Sequence, residues 1–284
     1  MPVSLVVVVK PKIAGSILAA NGRWVHGLFF NWLQQEESAL GNAFHEEDEK
    51  EKPFTISCLQ PLTSERIDFK GSLPLLASHL YWFRITSMHP LLDRVLQESF
   101  FRNKTELTLQ EIPFSVENVT FSPRQHPWGA TITWQDLDTN APVNTVRIEF
   151  ASPTMLKMAR RPGEKTGRIL RLPLPSEVFG KLAARWNGFS GDPLDPELLT
   201  ALKENLVITD YALHTVAIKE GKGKNSWEWP CFQGWCEYTL MPSDLALAAV
   251  LQKLARFSFY SGLGFKTPRG FGQSRAMGIS LPRF

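Results

Sequence analysis

The sequence has few of the residues that build disulfide frameworks or metal sites. Its three cysteines, Cys58, Cys231 and Cys236, form no C-x-x-C pair, and its six histidines are scattered without metal-ligand spacing. An odd number of cysteines without paired spacing is typical of a reducing compartment. We therefore expect a cytoplasmic protein that has no disulfide, no bound metal and no cofactor.

Long apolar runs and nucleotide-binding fingerprints are also missing. The apolar run over residues 3–9 is too short to span a bilayer, and it lacks the basic flank and cleavage site of a secretory signal. No G-x-x-x-x-G-K-[ST] loop occurs, and no βαβ unit follows the glycines near the C-terminus. These absences argue against a membrane protein, a secreted protein and a nucleotide-binding fold. The 284 residues suffice for one large domain or two of ordinary size.

Apolar periodicity predicts two successive units of the same element order. In the first half it predicts strands over residues 3–9, 54–59, 80–88 and 106–121, and helices over 22–35, 36–45 and 90–101. In the second half it predicts strands over 145–151, 206–219, 227–240 and 276–281, and helices over 176–186, 196–205 and 243–256. Each half reads β-α-β-β-α-β, with one extra helix, which is a ferredoxin-like order. We predict an α+β fold of two tandem ferredoxin-like (RRM-like) domains, residues 1–125 and 126–284, each an antiparallel sheet with helices on one face.

A glycine-rich segment near the C-terminus carries the strongest functional signal. Two Gly-x-Gly pairs flank a short basic insert, and the residues are Gly262, Gly264, Lys266, Arg269, Gly270, Gly272 and Arg275. Glycine permits positive φ and close approach, and successive N–H groups of such a loop can form a nest for phosphate oxygens. The pattern favours a loop that lies against a polyanion. A tight turn before the last strand is the alternative interpretation.

A second basic segment follows the strand predicted over residues 145–151. Its cations are Lys157, Arg160, Arg161, Lys165, Arg168 and Arg171, with a single acid among them. Arginine binds phosphate in a two-pronged planar geometry and stacks on exposed bases. Since the first half instead carries an acidic run over residues 46–51, the asymmetry indicates a nucleic-acid face on the second domain. A solvated charged loop is the alternative.

Four segments resemble segments of the CRISPR repeat-processing endoribonucleases, and they follow one another along the chain in the same order as in that family. They are the glycine loop over residues 262–272, the strand over 146–154, the first helix over 25–33, and the segment over 44–57. The resemblance implies two ferredoxin-like domains and cleavage of CRISPR repeat RNA into guide RNAs. It also implies hairpin or single-stranded repeat RNA as partner, other effector subunits as candidate partners, no membrane, and a monomer or homodimer.

The resemblance further implies metal-independent chemistry, in which a 2′-hydroxyl attacks the adjacent phosphate and leaves a 2′,3′-cyclic phosphate and a 5′-hydroxyl. It assigns catalysis to His45 and Lys52. His26, in the first helix, is the competing proton-transfer group, and Arg23 is a phosphate-binding candidate. Related proteins carry a tyrosine where this chain has Phe30, so the candidates are His45 with Lys52 or a His26–His45 pair.

The remaining histidines and the tryptophans have no matching motif. We expect structural or surface positions for His79, His89, His126 and His214. The tryptophans are expected mostly in the core. Three of them, Trp227, Trp229 and Trp235, lie near a basic turn with Lys219, Lys222 and Lys224, where they could stack on bases.

Two other functions remain open from the sequence. Because Phe30 replaces the tyrosine of related proteins, the alternative is a non-catalytic subunit that binds repeat RNA in a CRISPR effector complex. A duplicated RNA-recognition-type fold outside CRISPR biology is weaker, because the K/R-G-F/Y-G/A-F-V-x-F/Y strand motif is missing.

Overall fold

The structure is a computed structural model that describes residues 1–46, 51–63, 67–98, 105–138, 141–158, 167–220 and 227–278, without the side chains of residues 45 and 46. Contacts divide the chain into two units. The first unit contains Met1–Thr131 together with Pro268–Gly270, and the second contains Ile132–Thr267 and Phe271–Phe284. The tip of the glycine loop therefore groups with the first unit, although its flanks group with the second.

The first unit contains three helices and nine strands in its described part. The strands are β1 (Val3–Pro11), β2 (Gly15–Leu18), β3 (Phe54–Ile56), β4 (Gln60–Pro61), β5 (Ser72–Leu75), β6 (Tyr81–Ser87), β7 (Glu106–Leu109), β8 (Ile112–Thr120) and β9 (Ala130–Thr131). The helices are α1 (Gly22–Glu36), α2 (Ser38–Glu46) and α3 (Pro90–Glu98). The main sheet is antiparallel in the order β3-β6-β1-β8-β7. The four strands of the predicted unit thus take the ferredoxin-like order, with strand one between strands three and four.

The central strand of this sheet is buried on both faces. Leu5, Val7 and Val9 belong with α1 and α3 to one apolar core. On the opposite face, the Ser4 hydroxyl donates to the Trp128 carbonyl, and the Arg84 guanidinium lies 4.8 Å from the Trp128 ring. Burial on both faces explains why residues 3–9 are almost continuously apolar instead of alternating.

The second unit repeats the same order. Its strands are β10 (Thr145–Thr154), β11 (Leu156–Lys157), β12 (Ile169–Leu170), β13 (Leu206–Glu220), β14 (Trp227–Leu240) and β15 (Ser274–Met277). Its helices are α4 (Pro175–Phe189), α5 (Pro196–Asn205) and α6 (Leu245–Ser261). The sheet order is β13-β14-β10-β15, again antiparallel throughout. The predicted α+β fold of two ferredoxin-like domains is confirmed.

Several predicted boundaries move for identifiable reasons. Residues 106–121 form two strands, because Gln110 and Glu111 both have positive φ and turn the chain between β7 and β8. The last helix begins after Asp244, whose carboxylate accepts from the Leu247 N–H and caps the helix. Helix α6 continues to Ser261, so the glycine loop begins directly at its end. No helix in the described part of the chain has the length and apolar character needed to cross a membrane.

Candidate active site

In the first unit, the start of α1 lies against the tip of the glycine loop. A Cβ added to Gly22 would overlap the Arg269 carbonyl, so only glycine fits this approach. The Gly270 N–H donates to the Ile56 carbonyl at 3.0 Å, which attaches the loop tip to the end of β3. The backbone at Arg269 is therefore held beside the first residue of α1. The side chains of Arg23 and Arg269 are both exposed there.

Local structure makes this end of α1 electropositive. The Asn21 side chain does not cap the helix; its amide oxygen accepts from the Leu59 N–H at 2.6 Å, and its nitrogen donates to the Ala19 carbonyl. The first turn of α1 contains no acidic residue. Because the N-terminus of a helix dipole attracts anions, the dipole adds to the charge of Arg23 and Arg269. Arg23 and the backbone of Arg269 therefore lie at the same end of α1.

His26 lies one turn further along α1, and a cluster of aromatic rings extends from it. The His26 ring is half-buried, with its centroid 4.6 Å from that of Phe30. Phe30 lies 5.8 Å from Phe54, which lies 5.5 Å from Phe44 at the end of α2. The cluster thus leads from His26 to the residue before His45. The side chain of His45 lies outside the described part of the structure, although its backbone belongs to α2.

Lys52 lies against the C-terminal end of α2. Its ammonium group donates a hydrogen bond to the Phe44 carbonyl. A lysine in this position satisfies a helix-terminal carbonyl and complements the negative end of the helix dipole. The ammonium is therefore bound to the carbonyl of the residue that precedes His45, and the pairing of Lys52 with His45 stays a prediction.

A third histidine, His89, adjoins the same cluster. Its ring meets Phe44 edge-on at 5.4 Å, and its Nδ1 is buried without a hydrogen-bond partner among the described residues. Burial lowers the pKa of His89, so its imidazole is neutral at pH 7. The sequence predicts a structural or surface position for His89, because this residue matches no motif. Nothing in the sequence pattern indicates its contact with Phe44.

Cys58 packs under the loop tip. Its Sγ lies 3.9 Å from the Gly270 carbonyl, and a Cβ on Gly270 would come within 2.5 Å of that sulfur. Burial raises the pKa of the Cys58 thiol to about 12, which excludes a reactive thiolate at neutral pH. All three cysteines are free and buried.

The glycine loop packs closely against backbone carbonyls of neighbouring segments. All four glycines have positive φ, between 61° and 95°, as the sequence predicts. The N–H groups of Gly262 and Gly272 donate to the carbonyls of Ser258 and Pro153, and a Cβ on Gly264 would overlap the Met155 carbonyl. The N–H groups of Gly262, Gly270 and Gly272 therefore already have protein acceptors, whereas the predicted contact of this loop with RNA stays a prediction. These glycines permit close packing of the loop.

The basic residues of the second unit differ in how accessible they are. Lys266 forms an ion pair with Glu220, and the two side chains are only 11% and 16% exposed. Arg275 Nε donates to Glu149 at 2.6 Å. Lys157 is half-exposed and Arg168 is exposed. They lie on neighbouring segments, because the Met158 N–H donates to the Arg168 carbonyl. Arg160, Arg161 and Lys165 lie outside the described residues.

Across the described ranges, no three or more His, Cys, Asp or Glu residues are grouped so that they could hold a metal ion. The chemistry-bearing residues of the first unit are instead cations and imidazoles. Such a set suits binding of an anionic group with transfer of protons beside it.

Family models match both halves of the chain. The model described as the CRISPR Cas6 N-terminal domain matches residues 1–138, and the model described as CRISPR-associated endoribonuclease Cas6 matches residues 148–274. Together they cover nearly the whole chain, in the expected order. A search of the curated proteins returned no match.

Solved structures give the same family. Thermus thermophilus Cas6 (TTHB231) is 25% identical with a TM-score of 0.71, covering 98% of each chain. A product complex of Cas6 (TTHB231) has a TM-score of 0.76 at 25% identity, covering 98% of this chain and 100% of the other. A product complex of Cas6 (TTHA0078) has a TM-score of 0.74 at 25% identity, covering 98% and 99%. The chain belongs to the Cas6 family of CRISPR-associated, RNA-cleaving endoribonucleases.

Proposed function

We propose that this protein cleaves CRISPR repeat RNA without a metal ion, by attack of a 2′-hydroxyl on the adjacent phosphate. A P–O2′ bond forms, the P–O5′ bond breaks, and the products are a 2′,3′-cyclic phosphate and a 5′-hydroxyl. One group accepts the proton of the 2′-hydroxyl, and another protonates the leaving 5′-oxygen. The observation that carries the proposal is the joint position of Arg23, Arg269 and His26 at the start of α1.

Each residue has a distinct role in this proposal. Arg23 and Arg269 bind the scissile phosphate and stabilise the negative charge that grows on it. One of His45 and His26 accepts the proton of the 2′-hydroxyl, and the other protonates the leaving 5′-oxygen, since an imidazole can accept or donate a proton near neutral pH. Lys52 holds the end of α2 through the Phe44 carbonyl and so positions His45. In this proposal, the positive charge of the Lys52 ammonium also stabilises the negative charge that grows on the phosphate.

Phe30 supports the histidine pair over a tyrosine-based mechanism. Its ring packs between His26, at 4.6 Å, and Phe54, at 5.8 Å, and it has no group that can transfer a proton. The second proton must therefore be carried by another residue. In this proposal, His26, which packs on Phe30, supplies it.

Single-turnover cleavage of the cognate repeat RNA in EDTA tests the proposal. We expect one cut, with the rate reduced by about 10²-fold or more in His45→Ala and in His26→Ala, as for loss of a general acid or base. His79→Ala, which changes an exposed histidine of the same unit, is the matched control and should cleave at the wild-type rate.

Three results would contradict the proposal. They are a requirement for a divalent ion, wild-type rates in both the His45→Ala and the His26→Ala variants, and tight binding of the repeat without any product. The last result would instead favour the non-catalytic RNA-binding subunit.

A further inference from the structure

Three aromatic rings of the second unit form a continuous row. Trp227 and Trp229 lie near the start of β14, with ring centroids 6.4 Å apart, and Phe265 of the glycine loop lies 6.1 Å from Trp229. The outer rings are accessible, with Trp227 50% exposed and Phe265 37% exposed. Single exposed apolar residues are ordinary, but two accessible rings that both contact a third form a contiguous aromatic surface.

The middle ring is fixed by a half-buried ion pair. Trp229 Nε1 donates to Glu220 at 2.6 Å, and the Lys266 ammonium, which pairs with the same carboxylate, lies 4.2 Å from the Trp229 ring centroid. Burial alone would raise the pKa of Glu220, but the hydrogen bonds from Lys266 and Trp229 hold it below its ordinary value. Glu220 therefore stays ionised, and Trp229 keeps its orientation at neutral pH.

The backbone at Lys266 indicates that its side chain is needed. Lys266 has a φ of 62°, which is unfavourable for a residue with a side chain. The four other positions of the loop that have positive φ are all glycines. Glycine would fit this backbone better. The lysine directs its charge to Glu220 and Trp229, so its role is to hold the aromatic row in place.

The charge around the row is complementary to a polyanion. Lys157 lies 5.0 Å from the Phe265 ring centroid, and Arg168 lies next to Lys157 through the pairing of β11 and β12. The nearby acids are compensated, since Glu220 pairs with Lys266 and Glu228 lies 3.5 Å from Lys219. Accessible rings beside cations are the features of a single-stranded nucleic-acid surface, where rings stack on bases and cations contact phosphates.

Trp235 shows the opposite arrangement on the same strand. The Arg147 guanidinium lies 3.9 Å from its ring centroid, and Arg147 is held there by Glu237 at 2.9 Å. Its ring is therefore covered by a neutralised cation. Of the three tryptophans near the basic turn, only Trp227 presents a ring that is half exposed.

We propose that unpaired nucleobases of the repeat RNA stack on the exposed rings of Trp227 and Phe265, while Lys157 contacts the adjacent phosphate. This inference rests on the proposed function for its substrate, but it concerns binding and not chemistry. The Glu220–Lys266 pair acts as a positioning element, since it fixes Trp229 between the two stacking rings.

Binding of a non-cleavable repeat RNA, with a 2′-deoxy sugar at the cut position, tests the stacking surface. By fluorescence anisotropy, Trp227→Ala and Phe265→Ala should each raise Kd by about 5-fold or more, as for loss of one base–aromatic stack. Phe265→Trp should bind like the wild type, and Phe265→Leu should bind like the alanine variant. Tyr211→Ala is the matched control, because this exposed aromatic lies nine residues from Glu220 on β13.

Two further readouts separate stacking from charge and from the proposed chemistry. The salt dependence of binding should be unchanged in Trp227→Ala and reduced in Lys157→Ala. 2-Aminopurine placed in turn at each unpaired position of the RNA should lose fluorescence on binding to the wild type, and the quenching should be weaker with Phe265→Leu.

Different failures have different meanings. Wild-type affinity in the Trp227→Ala and Phe265→Leu variants, with normal cleavage by the wild type, would overturn the stacking inference alone. Failure of the wild type to bind or cleave repeat RNA would overturn the proposed function. If a double variant with Trp227→Ala and Phe265→Ala keeps its RNA affinity but loses a protein subunit of an effector complex, the row is a protein interface and the inference is wrong.

Discussion

Lys266 and Arg269 are basic residues three positions apart in one loop, yet their surroundings are opposite. Lys266 pairs with Glu220 and is almost fully covered, while the Arg269 side chain is exposed beside the start of α1. A buried ion pair adds no net charge at the surface, whereas an exposed guanidinium does. The basic composition of a segment therefore does not identify which of its residues are available to RNA.

Asp93 gives a prediction at the residue scale. It lies in the first turn of α3 with a side chain that is 6% exposed, and burial raises its pKa to about 6 despite a hydrogen bond from Ser87. Because the folded protein holds this proton more tightly than the unfolded chain, Asp93 lowers stability as pH rises from about 4 to 6. Asp93→Asn should therefore be more stable than the wild type at pH 7.5, on the order of 1–3 kcal/mol.

Urea unfolding of the wild type and Asp93→Asn between pH 4 and 7.5 measures this effect. The difference in unfolding free energy should be small at pH 4 and approach its full value above pH 6. A difference that does not change with pH would show that the substitution acts through packing and not through ionisation.

At the scale of elements, the glycine loop and α1 show how packing decides what a segment can do. The loop glycines have positive φ, and three of them lie against backbone carbonyls or Cys58, which leaves no room for side chains. Their N–H groups mostly serve the protein itself. The loop therefore acts by holding the backbone at Arg269 against the first residue of α1.

Two glycines on α1 offer a matched pair for testing this role. Gly22→Ala places a Cβ against the Arg269 carbonyl, whereas a Cβ on Gly27 meets nothing within 4 Å. Gly22→Ala should destabilise the protein by about 1–3 kcal/mol, as for overpacking, and slow cleavage by roughly 10-fold or more. Gly27→Ala should leave cleavage unchanged and stabilise the helix by up to about 1 kcal/mol.

Thermal unfolding followed by circular dichroism and single-turnover cleavage below the melting transition measure these two variants. Normal cleavage by Gly22→Ala would show that the contact between the loop tip and α1 is not needed for activity.

At the scale of the whole molecule, the two units share a strand order but present different surfaces. The central strand of the first unit is buried on both faces. In the second unit, partly exposed side chains cross-link one face, where Arg147 pairs with Glu237 and Asp210, and Arg275 pairs with Glu149. Two arginines facing three acids give no excess positive charge. We therefore expect the loops, and not this sheet face, to carry the ionic part of RNA binding.

Salt dependence of binding tests this distribution. The net charge is only +3, so the positive charge that binds RNA must be local. Arg23→Ala and Arg269→Ala should each reduce the slope of log Kd against log salt by roughly 0.7–1, as for one lost phosphate contact. Lys12→Ala changes an exposed lysine of the first unit whose charge is already paired with Glu106, and it should leave the slope unchanged. Unchanged slopes in both arginine variants would place phosphate binding elsewhere.

Much of the fold could be predicted from the sequence because its signals are local. Helix α5 runs over the predicted residues, since Asp195 caps it and Pro196 fits its first position. The long strands β13 and β14 were predicted from two strand patterns, and both are confirmed. These features depend on neighbours within a few residues.

Local sequence signals therefore account for the order of strands and helices, and for the set of basic and imidazole side chains from which a site could be built. Which of these side chains meet depends on tertiary packing. Arg269 joins Arg23 from the opposite end of the chain, Lys266 pairs with Glu220, and His89 packs on Phe44. Such contacts depend on how whole elements pack, because a side chain is paired, buried or exposed according to what the fold places beside it, and local pattern does not carry that information.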